Sequence, residues 1–305
     1  SVVSLFALMN DFYGTTGRFL LFLITIIVFG IVIINFLRWI DRIVWLGRLS
    51  TTIEKVEKAT RDALQNSKFA LPMESKSAPK QPDGSPIYSP EIGYVQRIDI
   101  PKLQSAAERF DLQITVQALP GTFLSPDQPL ALVTSPAGTS EKEVDPGMIV
   151  NAFTIGKNRT FDEDPQFGFL VLSEIASRAL SPAVNDPGTA IYIIDIYVRL
   201  FTNWLRQNEN EDTQEITADR VEVPPTPLNS IFDDAFNAIA RDGAGNIEIA
   251  LRLQKAFQSL SSLPNETMAE ASREHARLAF RYAEESLSLT EEIRLLKETG
   301  LIKNL

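Results

Sequence analysis

From Phe19 to Leu37 the chain reads FLLFLITIIVFGIVIINFL, apolar at every position except Thr25, Gly30 and Asn35. A helix rises about 1.5 Å per residue, so a run of this kind covers roughly the 30 Å hydrocarbon core of a bilayer. A helix also satisfies every backbone polar group of an isolated segment there. The pattern therefore predicts a transmembrane helix over residues 19–37. A buried core helix of a water-soluble protein would rarely be apolar on every face for so long. A cleaved leader is disfavoured, because the run is too long and no small-residue cleavage site precedes the basic flank. Arg38, Arg42 and Arg48 follow the run, whereas Arg18 alone precedes it and is offset by Asp11. The excess of positive charge places the C-terminal side in the cytoplasm. Trp39 and Trp45 stand where an aromatic belt would lie. The opening VVSLFALM is apolar but too short to span, and the chain lacks an initiator methionine. Further residues and spans upstream of Ser1 are expected.

Beyond the apolar run, Leu46, Leu49, Ile53, Val56, Thr60 and Ala63 recur by threes and fours, the spacing of one helix face. Residues 1–65 thus read as a transmembrane helix continuing into an amphipathic cytosolic helix. The stripe suits a coiled-coil seam between copies or a helix lying on its own domain, and its shortness favours the second. Residues 66–91 form a Pro-rich linker, with Pro72, Pro79, Pro82, Pro86 and Pro90. Residues 92–140 read as a small β-rich module. Strand alternation runs through Gly93–Asp99 and Leu112–Val116, a helix from Pro101 to Phe110 lies between them, and Pro129–Val133 closes the module. Its order, with PGTFLSPDQPLALV at the end, resembles the barrel-sandwich hybrid fold of biotinyl and lipoyl carrier domains. The carrier's hairpin lysine has no counterpart: a helix occupies that region, and Lys102 merely begins it. The resemblance therefore implies a fold without the carrier function.

Residues 141–305 are expected to form a mainly α-helical cytosolic domain. Asp145-Pro146, Asp164-Pro165 and Asp186-Pro187 each predict a helix start, the Asp capping free N–H groups and the Pro taking the first helical position. The helices so begun run through Phe153, Leu180 and about Arg206. Others follow near 228–242, 246–263, 266–283 and 286–298. The fold class is thus membrane α-helical plus cytosolic α+β.

Composition removes whole classes of function. A net charge of -10 is the wrong sign for neutralising phosphate backbones, so no nucleic-acid partner is expected. The absence of cysteine and the single histidine, His275, rule out thiolate chemistry and the usual zinc sites. No cofactor and no metal are expected. His275 lies in the charged run REHARLAFRYAEE and reads as a solvated helix residue rather than a triad member. Asp233-Asp234 reads as a helix N-terminal pair, since neighbouring residues on a helix point apart. No catalytic residues are assigned and no enzyme is expected.

The most specific stretch is GKNRTFDEDPQFGFLVLSEIASRALSPAVNDPGTAIYIID, Gly156 to Asp195, flanked by GYVQRID upstream and IFDDAFNAIARDGAGN downstream. In this order the blocks resemble the bacterial predicted membrane proteins of the domain of unknown function 2254 family, from the apolar run to about Leu263. Members of that family carry several membrane helices before the rest, which again implies missing upstream spans, and a place in the bacterial cytoplasmic membrane. Within the stretch, Arg178, Ser181, Asn185 and Asp186 make a polar corner between two apolar helices, and Arg159 precedes the acidic run ending at Asp164. An anionic ligand held by the arginines and the helix N-terminus is one reading. The simpler one has Asp186 capping its own helix and the arginines paired with Asp164 or Asp195, and it is favoured because a capping carboxylate repels anions. Function is left between two classes. The first is a homo-oligomeric assembly in the lipid bilayer with a channel or transport role, Thr25 and Asn35 being the pore-lining candidates. The alternative is a non-conducting membrane-anchored scaffold or sensor of a small ligand. The sequence does not identify the ligand or ion.

Overall fold

The apolar run lies within α1 (Thr15–Leu46), a helix of 32 residues. Its large side chains stand in the open, from Phe19 at 70% exposure and Phe29 at 65% to Leu37 at 59%. The computed structural model describes residues 15–46, 49–66, 84–135, 145–208 and 218–301. Among these, no helix is long and apolar enough to cross a membrane, which corrects the expected transmembrane helix. Trp39, Trp45, Arg42 and Arg48 lie outside the described side chains. The amphipathic stretch beyond it is helical as expected, α2 (Leu49–Asn66); residues 47–48, through which the expected continuation would pass, lie outside the described residues.

The chain divides into two units, Ser1–Glu54 and Lys55–Leu305. Within the second, Val56, Thr60 and Ala63 of α2 are buried, so this part of the stripe is covered. The Thr60 hydroxyl donates to Val56 O at 2.7 Å, which satisfies its buried oxygen. Glu57, also buried, accepts two hydrogen bonds of 2.9 Å from Arg199 and one of 3.0 Å from Arg61.

The β part is built from β1 (Ser85–Tyr88), β2 (Gly93–Ile98), α3 (Ile100–Phe110), β3 (Gln113–Val116), β4 (Phe123–Leu124) and β5 (Pro129–Thr134). Two distant pieces complete it, β6 (Phe153–Gly156) after the short helix α4 (Pro146–Val150), and β7 (Val221–Glu222). The strands form two open sheets, β1-β5-β3-β7 and β4-β2-β6. The expected barrel-sandwich hybrid is therefore corrected: no barrel closes among the described residues. The reason lies in the pairing, since β3 is parallel to β7 through Ile114–Val221, and β2 takes β6 as its second neighbour. Each sheet is finished by a strand from beyond residue 140, and β1 falls within the stretch 66–91. Asp99 starts α3 by accepting from Lys102 N–H at 3.1 Å, and Asp111 ends it in the left-handed region at φ 53°. Leu103, Ala106 and Ala107 of α3 are buried with Val95, Ile114, Val116 and Leu130.

The helical part contains α5 (Pro165–Leu180), α6 (Pro187–Asn208), α7 (Leu228–Asp242), α8 (Ile247–Ser261), α9 (Glu266–Ser286) and α10 (Thr290–Lys297). Its core is a chain of rings. Phe169 stacks on Phe201 at 4.7 Å, Phe201 meets Phe232 at 4.9 Å, and Phe236 meets Phe257 edge-on at 4.8 Å. All five rings are buried. Aromatic pairs at such separations add about 0.5–1.5 kcal/mol each beyond simple burial. These ring contacts link α5, α6, α7 and α8.

Candidate functional site

The N-terminal end of α5 gathers several partly buried polar side chains. Asp164 caps the helix, its Oδ1 accepting from Phe167 N–H at 3.0 Å. Both carboxylate oxygens also bind Arg159, through Nε at 2.7 Å and Nη2 at 2.9 Å. The carboxylate is 4% exposed and the guanidinium 16%, so this two-pronged pair is largely out of water. The guanidinium also sits 5.1 Å from the Phe167 ring centroid. Gly121 explains why the chain can pass so close: it adopts φ +91°, and a Cβ there would meet the Asp164 carboxyl and lie 2.9 Å from Arg159 Nη2. Just before Asp164, Glu163 accepts from Ile98 N–H at 3.2 Å and pairs with Arg97 at 3.3 Å. The acidic run 162–164 thus ties the β part to the start of α5.

The network extends to α7 and α9. Gln166 donates to Asp234 Oδ2 at 2.7 Å. Burial holds the Asp234 carboxyl above the usual range, and the nearby Asp233 and Asp164 push the same way against Gln166 and Arg159. Asp233 faces the other side of α7, where its Oδ1 lies 3.1 Å from His275 Nε2. His275 is 4% exposed, with Nδ1 at 2.8 Å from Ala271 O and its ring 5.3 Å from Phe232. This corrects the expectation of a solvated histidine: it sits on the small-residue face of α9 with Ala271, Ser272, Ala276 and Ala279, all buried. That three-and-four spacing of small residues was the signal available in the sequence. Tyr197, wholly buried, donates to Phe169 O at 3.0 Å, and burial raises its hydroxyl well above the ordinary phenol value.

The other predicted residues lie elsewhere. Arg178, Ser181, Asn185 and Asp186 gather at the far end of α5, about 24 Å from Asp164 along a helix of 16 residues. There the corner spends its polar groups on itself. Ser181 Oγ donates to Arg178 O at 2.7 Å, Asn185 N–H to Ser181 O at 2.8 Å and Asp186 N–H to Ala179 O at 2.8 Å. Asn185 takes φ 49°, which Asn tolerates better than most residues. Asp186 accepts from Thr189 Oγ1 at 2.6 Å and Thr189 N–H at 3.2 Å, bonds that hold its carboxyl below the usual range. The arrangement is that of a cap. Of the two ion pairs weighed in the sequence, Arg159 takes Asp164, while Asp195 is bound by Arg252 rather than Arg178. Thr25 and Asn35 are exposed on α1. Among the described residues no group of three or more His, Asp or Glu side chains is arranged to hold a metal ion.

A family model described as "Predicted membrane protein (DUF2254)" matches residues 1–259. Uncharacterized proteins of Mycobacterium bovis and Mycobacterium tuberculosis are each 27% identical to this chain over 155 residues. The match covers 48% of this chain and only 29% of the length of those relatives. No solved structure matches.

Proposed function

The chain belongs to the DUF2254 family of predicted membrane proteins, and from that premise we propose that it is a membrane-attached, non-conducting scaffold or ligand sensor. The observation that carries this reading is the surface of α1. Phe22, Ile26, Phe29 and Val32 on one side, and Leu23, Ile27, Ile31 and Ile34 on another, all stand between 45% and 65% exposed. Complete removal of one such side chain from water is worth about 1.5–3 kcal/mol, so a surface of this kind belongs in lipid. A conducting assembly would instead need a polar stripe. Thr25 and Asn35 lie about 80° apart around the helix at 100° per residue, and residues 26–34 between them are Ile, Val, Phe and Gly. Arg38, Arg42 and Arg48 after the apolar run support placing the residues that follow on the cytoplasmic side of a bacterial inner membrane. The self-contained block around the Arg159–Asp164 pair is the scaffold, and it carries no catalytic role in this reading.

Ion flux through liposomes holding the purified full chain tests the proposal. The expected flux equals that of protein-free vesicles, in native protein and in Asn35→Leu alike. A flux that Asn35→Leu abolishes would restore the channel reading.

A further inference from the structure

We propose that the depression between α6 and α8 binds a phosphate group, held by Lys255 with Arg252 and Ser259. Arg252, Lys255, Ala256 and Ser259 recur by three and four, so they share one face of α8. Asp195 and Val198, three apart, present the facing side of α6. Together the six line a cavity of about 210 Å³. Ala256 is buried and supplies a small floor, which leaves room for a ligand where a longer side chain would fill the space.

The charges divide unequally. Arg252 binds Asp195 through Nε and Nη2, both directed at the same carboxylate oxygen, Oδ1. That pair engages one oxygen of the cavity's one carboxylate and leaves Arg252 with a further N–H edge. Lys255 is exposed and makes no ion pair among the described residues, and no hydrogen bond of the Ser259 hydroxyl is seen among them. One ammonium, one further guanidinium edge and one hydroxyl, all donors on the same helix face, therefore outnumber the single carboxylate of the cavity, Asp195, which is already bound by Arg252. Three donors of this type, two of them cationic, suit the oxygens of a phosphate. A second depression, of about 510 Å³ between α3 and α4, lacks this imbalance. Its Lys102 is paired with Asp99 at 3.3 Å, and its Ser105 hydroxyl donates to Pro101 O at 2.9 Å.

The phosphate has two sources, free inorganic phosphate or the headgroup of an anionic lipid. The assignment rests on the second unit acting as a ligand-binding module. It does not depend on conduction, so flux in liposomes would sink the non-conducting reading and leave this site to its own test. That test is a calorimetric titration of the detergent-solubilised full chain with inorganic phosphate and, separately, with short-chain phosphatidylglycerol, at matched ionic strength. Saturable binding of phosphate, weakened at least tenfold in Lys255→Gln and retained in Lys255→Arg, supports a free phosphate ligand. The same pattern with the lipid alone supports a headgroup. Absence of saturation with either probe overturns the proposal, as does Lys255→Gln titrating like the native chain. An unchanged thermal midpoint of Lys255→Gln without ligand shows that the exposed substitution leaves the fold intact.

Discussion

Asp234 carries a carboxyl that burial, together with Asp233 and Asp164, holds above its ordinary value. A carboxyl raised in the folded state keeps its proton where the unfolded chain has lost it. Its contribution is therefore favourable at low pH and is lost as pH rises from the unfolded carboxylate value through the raised folded one. Asn can still accept the hydrogen bond from Gln166 without carrying the charge. Asp234→Asn is thus expected to be at least as stable as the native chain at pH 7. Urea unfolding between pH 4 and pH 7 should show its stability falling less across that range, and an identical pH profile would sink the assignment. The sequence made part of this site legible. The pairing of Arg159 with Asp164 could be anticipated because the two are five residues apart and Asp-Pro marks a helix start. The contacts Gln166–Asp234 and Asp233–His275 span 68 and 42 residues, and no local pattern specifies which helices bring them together. The local sequence hides the burial of His275, because the charged residues around it occupy the wet faces of α9 while the histidine falls on the alanine face.

Elements defined by their own ends were the most readable. Asp99, Asp145 and Asp164 each accept a backbone N–H at the start of a helix whose first turn holds Pro. Asp186 accepts from Thr189 N–H at the start of α6 in the same way. Capping is a contact within four residues, so the sequence contains both partners. The strands β6 and β7 were not anticipated, since β7 is two residues long and owes its existence to Ile114 and Thr115, more than 100 positions away. Packing between elements shows the same limit at α2 and α5. A Cβ on Gly168 would collide with the Thr60 side chain, so α5 approaches α2 at a residue without a Cβ. Gly168→Leu is expected to destabilise residues 55–305 by about 1–3 kcal/mol or more, as overpacking of a closed contact does. Limited proteolysis should then cut within 55–66 faster than in the native chain, and unchanged cleavage there would argue against the contact.

At the scale of the whole molecule, the two units differ in what their surfaces require. Among the described residues of 55–305, apolar side chains are buried in the sheet core around Val95, Leu103 and Leu130 and in the ring chain from Phe169 to Phe257. The described large side chains of residues 19–37 do the reverse and stand exposed. The sequence displayed this contrast directly, because a run without charge can be seen without knowing any contact. The structure corrected the fold class drawn from that run, and the family's membrane character comes from the match over residues 1–259. The proposed membrane attachment through α1 has a direct consequence. After alkaline carbonate washing of bacterial membranes, which strips proteins held by charge, the full chain should remain in the pellet. Residues 55–305 expressed alone should be found in the supernatant, since their apolar side chains already have an interior. A full chain released by carbonate would mean that the exposed side chains of α1 are covered by protein rather than lipid. In that case light scattering of the released material should give a mass above that of one 34.0 kDa chain, with copies of α1 packed against each other.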